Sequence, residues 1–448
     1  MTNAGAGERR REVFGWVMYD WANSAFQTTV VTALCGPYLT ALAQSTVGDN
    51  GAVLQIGEFT AVTAKSLFPY AVSLSVLVQV VLLPLLGALA DSTKRRKRLM
   101  AIFCYVGVTA TSLLFFVTGP LYLAGAVLFL IANIGFGASN VLYNAFLNDV
   151  TTADRRDAIS SRGYALGYLG GGVLLGLDLL LLLNAARLGV SREFAVRLSL
   201  LSAGIWWGGF AVLTFATLRA DPGTGRVPVA EAIARAAAET RLTLSELRRL
   251  PQTLRFLLAY MTYNDGIQTV IAVSTVFLAQ ELFVAQGRTV DEAFLIGLVL
   301  MIQFVAFFGA LLFERIAAAI TTKRAIALSL VVWTLIVIYA YGFLQTTSQA
   351  WLMGAALAVV LGGSQALSRS LYSRMIPAGR EAAFYGLYEI SERGTSWIGP
   401  LLFGAVAAIT GSYRQAILSL IVLFAAGLLI LALTNTAHAT REAEQQSV

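Results

Sequence analysis

Carboxylates and amides recur at helical spacing inside stretches that are otherwise apolar. Asp20, Asn23, Ser24 and Gln27 share one face of a run that begins near residue 14. Asn264, Asp265, Gln268 and Thr269 repeat the pattern in a run beginning near residue 253, with Tyr263 beside them. Asn140, Asn144 and Asn148 lie four residues apart, and Gln365, Arg369 and Ser373 answer them; Tyr385, Glu389, Glu392 and Arg393 form a fifth set. Groups of this kind are costly in hydrocarbon, and there they face a cavity or a partner helix. One such amide is most simply glue between helices; stripes on several helices argue for a polar cavity. The chemistry on offer is hydrogen bonding and proton exchange. No His/Cys/carboxylate cluster has metal-ligand spacing and no Gly-x-x-x-x-Gly-Lys-Ser/Thr loop exists. The expectation is therefore no metal, no other cofactor, no ATP-driven pump and no enzyme.

A second constellation lies between Gly87 and Arg98, which reads Gly-Ala-Leu-Ala-Asp-Ser-Thr-Lys-Arg-Arg-Lys-Arg. Gly87 permits a neighbouring helix to come close. Asp91 can accept hydrogen bonds from another helix's N-terminus, where free amides and the dipole favour a carboxylate. Gly87, Asp91, Arg95 and Arg96 are the expected gating residues, with Asp91 lying near Ala382 to Tyr385 when that end is closed.

The elements that hold these groups are membrane spans. The chain of 448 residues is 57% hydrophobic and only 13% charged, about half the charge of an ordinary soluble protein at roughly 25%. Apolar runs long enough to cross a bilayer, about 20 residues each, fall near 14–43, 66–90, 99–118, 121–148, 163–186 and 195–218, then 253–283, 292–314, 323–345, 348–374, 383–410 and 412–434. This predicts an all-α membrane protein of twelve transmembrane helices in two six-helix halves. The halves occupy 1–218 and 253–448, with a linker at 219–252 in which Thr243 and Glu246 form a capping box.

Cations set the orientation. Arg9 to Arg11, Lys94 to Arg98, Arg155, Arg156, Arg162, Arg315, Lys323, Arg324, Arg369, Arg374, Arg380 and Arg441 fall on one side. The positive-inside rule places that side, and both termini, in the cytoplasm. This bias explains the net charge of +7 without nucleic acid. The first run is too long for a cleaved signal. Cys35 and Cys104 lie near opposite ends of neighbouring spans, so buried free thiols are expected. The partners are a small-molecule substrate and the bilayer, and a monomer is expected. The halves look related: Tyr164 and Tyr385, Asn144 and Gln365, and Asn148 and Arg369 are each separated by 221 residues, as in a parallel repeat.

The Gly87–Arg98 stretch resembles the loop between the second and third spans of major facilitators. Trp16-Val-Met-Tyr-Asp-Trp-Ala-Asn-Ser-Ala-Phe26 resembles the signature of the family first called unidentified major facilitators, which includes the fungal vacuolar amino-acid effluxer linked to autophagy. Asn140-Val-Leu-Tyr-Asn-Ala-Phe-Leu147, Gly163 to Gly171, Gly362 to Ser370, Ile376-Pro377 and Phe384 to Tyr388 agree with it in order. Cys35-Gly36-Pro37, Glu392-Arg393 and Asp178 depart from the family's pattern.

The resemblance implies that spans 1, 4, 7 and 10 line a central cavity and that large neutral amino acids are exported. The expected substrate-binding residues are Asp20, Asn23, Gln27, Asn144, Tyr164, Asn264, Asp265, Gln268, Gln365 and Tyr385. Asp20 or Asp265 would hold an ammonium group, Asn144 and Gln365 would face each other, and Tyr164 and Tyr385 would form walls. With no ATP loop and no intramembrane His, uphill transport falls to a buried carboxyl as proton carrier; Asp20 is the first choice, then Asp265 and Glu389. Arg393 either pairs with Glu389 or binds a substrate carboxylate. A lipid-like amphiphile as cargo, favoured by a cavity lined mainly with Trp16, Trp21, Trp397 and the tyrosines, or a non-transporting receptor or assembly protein on the same fold, are the alternatives. A bacterial-type plasma membrane is the expected location.

Overall fold

Hydrocarbon leaves a backbone amide no partner but its own helix, so the apolar runs fold as helices. The computed structural model describes residues 3–48, 51–56, 59–219, 229–393 and 398–445. Ten helices long and apolar enough to cross a bilayer give spans 1 to 10: Arg9–Val47, Leu67–Thr93, Arg96–Phe116, Gly119–Val150, Ala153–Asn184, Arg192–Thr217, Pro251–Gln286, Ala293–Ile320, Thr322–Gly342 and Thr347–Ser373. Span 12 is Tyr413–Leu433. Span 11, expected at 383–410, is described in two pieces, Glu381–Arg393 and Ile398–Thr410; residues 394–397 lie outside the described residues, as does the side chain of Arg393. The fold is a twelve-helix bundle of two six-helix halves.

Span 1 changes winding. It is α-helical to Ala25, π-helical over Phe26–Leu34, and α-helical again from Cys35. The Thr32 hydroxyl donates to the Gln27 carbonyl five residues back at 2.9 Å, and the Thr29 hydroxyl donates to the Asp178 carboxylate of span 5 at 3.0 Å. A π segment re-aims the side chains around it and is common at functional sites. Asp178 also accepts from Ser202 of span 6 at 3.0 Å, so it ties three helices of one half together.

Within the first half, span 1 packs on spans 5 and 6 and span 3 on span 4; within the second, span 8 packs on span 10 and span 7 on span 12. Across the halves, span 2 meets the first piece of span 11, and span 5 meets spans 8 and 10. The second piece of span 11 packs instead on spans 7 and 12 of its own half. Span 5 follows span 8 past the middle of the bundle, with Gly172 beside Gln303 and Gly176 beside Leu300, while the contact of span 2 with span 11 lies toward one end. That end carries Lys94–Arg98, Arg155, Arg374 and Arg380 and is called here the basic end.

Two further elements lie outside the spans. Ala52–Ile56 and Phe59–Thr63 pair as an antiparallel hairpin between spans 1 and 2, with Val53 and Val62 packed on the core. A helix over Val229–Arg249 lies against span 2 and the start of span 11. Thr243 is inside that helix, its hydroxyl donating to the Glu239 carbonyl at 2.8 Å, so it is not the expected N-cap. The helix is gripped by Arg380, which donates to the Thr243 hydroxyl at 2.7 Å and pairs with Glu246 at 3.2 Å and Glu239 at 3.3 Å. Cys35 and Cys104 are both buried and free.

Candidate functional site

The basic end is held by a carboxylate on a helix N-terminus. Asp91, in the last turn of span 2, accepts from the Ala382 and Ala383 amides at 3.2 and 2.8 Å. These are donors of the first turn of Glu381–Arg393, which have no partner within their own helix. Arg96 donates to Asp91 through Nε at 2.9 Å and through Nη2 at 2.7 Å. It also pairs with Glu381, and with Asp149 at 3.0 Å. One arginine thus links spans 2, 4 and 11. Gly87 makes the approach possible: a methyl group there would overlap the Ala382 carbonyl. Of the four expected gating residues, Gly87, Asp91 and Arg96 come together here, while the Arg95 side chain has no assigned partner in this latch.

Next to this latch the seam is built around Arg369. The sequence places it both in the polar stripe of span 10 and among the cations of the cytoplasmic side. It is 2% exposed inside span 10, one turn before the helix ends at Ser373. Its Nη2 pairs with Asp20 of span 1 at 3.0 Å and donates to the Ser160 carbonyl at 3.0 Å. Nε donates to the Ser160 hydroxyl at 2.9 Å, and Nη1 to the Asn144 side-chain Oδ1 at 3.3 Å. The guanidinium lies 4.2 Å from the Tyr164 ring centroid and 4.7 Å from that of Trp16. Every one of these partners belongs to the other half. A buried ion pair survives only when its remaining donors and acceptors are also satisfied, and Ser160 and Asn144 do this. Gly163 is required beside the pair, because a Cβ there would strike the Asp20 carboxylate.

The other expected residues sort around this centre. Asn144 donates to Glu389 at 2.8 Å and accepts from Arg369, so it does not face Gln365. Gln365 accepts from Tyr168 at 2.6 Å. Tyr164 is half-buried against Arg369, whereas Tyr385 is fully buried and donates to the Arg369 carbonyl at 3.3 Å; the two do not form matching walls. Asn23 donates to Asn140 at 2.7 Å, and Gln27 is exposed although it lies within span 1. Asp265 is buried and accepts from the Gly399 amide at 2.7 Å; it anchors the second piece of span 11 and is not a cavity-facing acid. Asn264 donates to the Glu392 carbonyl at 3.2 Å, and Gln268, one turn on, is half-buried. Of the aromatic residues that would favour an amphiphile, Trp16 stacks on Tyr143 and Trp21 on Trp206, while Trp397 lies outside the described residues.

Below the Arg369 layer, Asp157 of span 5 pairs with Arg374 at 2.8 Å and accepts from Thr322 at 2.7 Å and Ser370 at 2.5 Å. Asn148 and Arg156 both donate to the Ser373 carbonyl. None of these cross-half bonds was foreseen apart from Asp91. The polar pattern shared by spans 1 and 7 is in register: Asn23-Ser-Ala-Phe-Gln27-Thr28 aligns with Asn264-Asp-Gly-Ile-Gln268-Thr269, 241 residues later. Asp20 has no acidic counterpart in that repeat, which marks it as specific to one half. A lone arginine inside an apolar span needs an anion, and Asp20 was the available one.

Two six-helix halves, latched across a polar seam at the basic end and in contact through spans 5 and 8 beyond it, define a transporter of the major facilitator type, not an enzyme. The solved structures agree with this fold: an outward-conformation major facilitator transporter, FucP, superposes with a TM-score of 0.66 at 12% identity over 95% of this chain and 98% of that one. A bacterial homologue of the iron transporter ferroportin in its outward-facing state gives 0.64 at 13% identity over 95% and 98%. Residues 8–444 match the family described as vacuole effluxer Atg22 like, and the chain belongs to that family. It is 31% identical to the uncharacterized MFS-type transporter YxiO of Bacillus subtilis over 96% of both chains. It is 26% identical to autophagy-related protein 22 of Coccidioides immitis over 91% of this chain and 83% of that one.

Proposed function

We propose that the chain exports a large neutral amino acid by alternating access, coupled to protons, from a cytoplasm that the basic end faces, across a bacterial-type plasma membrane. The observation that carries this reading is the polar latch between the halves. The Asp91 latch and the Arg369 cluster join the halves at the basic end, while the second piece of span 11 packs on spans 7 and 12 of its own half. A molecule latched at one end is one of the two states that alternating access requires. The vacuole-effluxer description of the family supports export, and the cations gathered at the basic end support its cytoplasmic placement. Asp20 is the coupling candidate because protonating it would remove the charge that holds Arg369 across the seam. Asp265 is engaged with Gly399, which favours a structural role for it; Glu389, bonded to Asn144, is the next candidate. The test is uptake of leucine, isoleucine and tyrosine into inside-out vesicles or liposomes holding the purified protein, with and without a pH gradient. Gradient-dependent accumulation supports the reading. Transport of amphiphiles with no amino acid moved would replace it by the lipid-like alternative.

A further inference from the structure

We propose that Asp20 and Arg369 are the two poles of the substrate site, each taking one end of a zwitterion, and that their pairing in this state expels it. The proposal rests on the reading of the chain as an amino-acid exporter and names the chemistry of its site. Asp20 belongs to span 1 and Arg369 to span 10, in opposite halves, 3.0 Å apart at the closed end. When the basic end opens, the halves part there and this pair cannot persist. Arg369 loses Ser160, Asn144 and the ring faces of Trp16 and Tyr164 in the same motion, because all lie across the seam. Two opposite charges are then left inside the bundle, each without the partner that made its burial tolerable.

Arg369 offers a planar fork of donors that matches a carboxylate in two-point fashion. Asp20 offers an acceptor for an ammonium group, with the Trp16, Tyr143 and Tyr164 rings nearby to receive an apolar side chain or the cation itself. An α-amino acid supplies both countercharges in one neutral molecule. A simple amine leaves Arg369 uncompensated, a simple acid leaves Asp20 uncompensated, and a sugar compensates neither. On closure of the basic end the two side chains find each other again and compete with the bound zwitterion. The internal pair therefore gives the cycle its sense: capture from the basic end, release toward the opposite one.

The test is competition against labelled leucine uptake into inside-out vesicles by three isosteric probes: leucine itself, isoamylamine, which lacks the carboxylate, and isocaproate, which lacks the ammonium. Each single-charge probe is expected to compete about 30-fold or more weakly than leucine, the loss that follows removal of one partner of a buried charge pair. Arg369→Gln should abolish the preference for leucine over isoamylamine, and Asp20→Asn the preference over isocaproate. Arg369→Lys, which keeps the charge but not the fork, should be intermediate. Thermal unfolding shows whether each variant is folded, and the wild-type comparison decides the matter where one is not. If isoamylamine and isocaproate compete as well as leucine, or folded variants keep the wild-type preferences, the proposal is overturned while leucine export stands. If the wild type moves no leucine, the exporter reading falls and takes this proposal with it.

Discussion

Replacing Asp91 by Ala removes the acceptor for two first-turn amides of span 11, at 2.8 and 3.2 Å. It also removes one of the carboxylates around Arg96. A capping carboxylate contributes about 0.5–2 kcal/mol through its hydrogen bonds, and about 0.3–1 kcal/mol through the helix dipole. Arg96 keeps Glu381 and Asp149, so the total loss is about 1–3 kcal/mol. The loss falls on the state with the basic end closed, because in the open state Asp91 and the amides both meet water. Such a difference raises the population open at the basic end roughly 5- to 150-fold. Ser373 reads this directly: it is 1% exposed, under the seam formed by Asn148 and Arg156. In a Ser373→Cys background, the rate of labelling by a membrane-impermeant thiol reagent from the basic side should rise by that factor. Cys35 and Cys104 are buried and contribute little background. Gly87→Val, which forces span 2 off Ala382, should move the rate in the same direction. Unchanged labelling in both variants would refute the latch.

Asp20→Asn should abolish accumulation driven by a pH gradient yet retain exchange between equal pools at saturating substrate; accumulation that survives would make Asp20 structural and pass the coupling role to Glu389. Arg380→Ala should cost only about 1 kcal/mol, because its pairs with Glu239 and Glu246 are partly solvated. The expected reading is a small fall in unfolding temperature that vanishes at high salt, and a collapse of the protein would show the linker helix to be part of the core.

The spans were legible because hydropathy over some twenty residues is a strong signal. So was the Asp91 latch, since a glycine four residues before an acid, ahead of a run of cations, has few other uses. The Asp20–Arg369 pair was harder to see. Its members are 349 residues apart, and Arg369 lies close enough to the end of span 10 to pass for a flanking cation. Which neighbour a span's polar stripe meets depends on tilt and closure, and these leave no trace in periodicity. For the same reason Asn144 and Gln365, matched by the repeat, took different partners. The π winding of Phe26–Leu34 follows from threonine hydroxyls bonding backward along span 1, a local choice that composition does not announce. Thr243-x-x-Glu246 shows the opposite error: a correct motif placed inside a helix that extends well before it.

Alternating access is tested most directly by two inter-half distances measured together in bilayers. Spin labels at Ser92→Cys and Ala378→Cys report the basic end, and labels at Lys65→Cys and Ile409→Cys the opposite end; all four positions are exposed. Asp91→Ala, or saturating leucine, should lengthen the first distance as it shortens the second, in populations that change reciprocally. Two distances that stay fixed under every condition, or that lengthen together, would contradict alternating access in this chain.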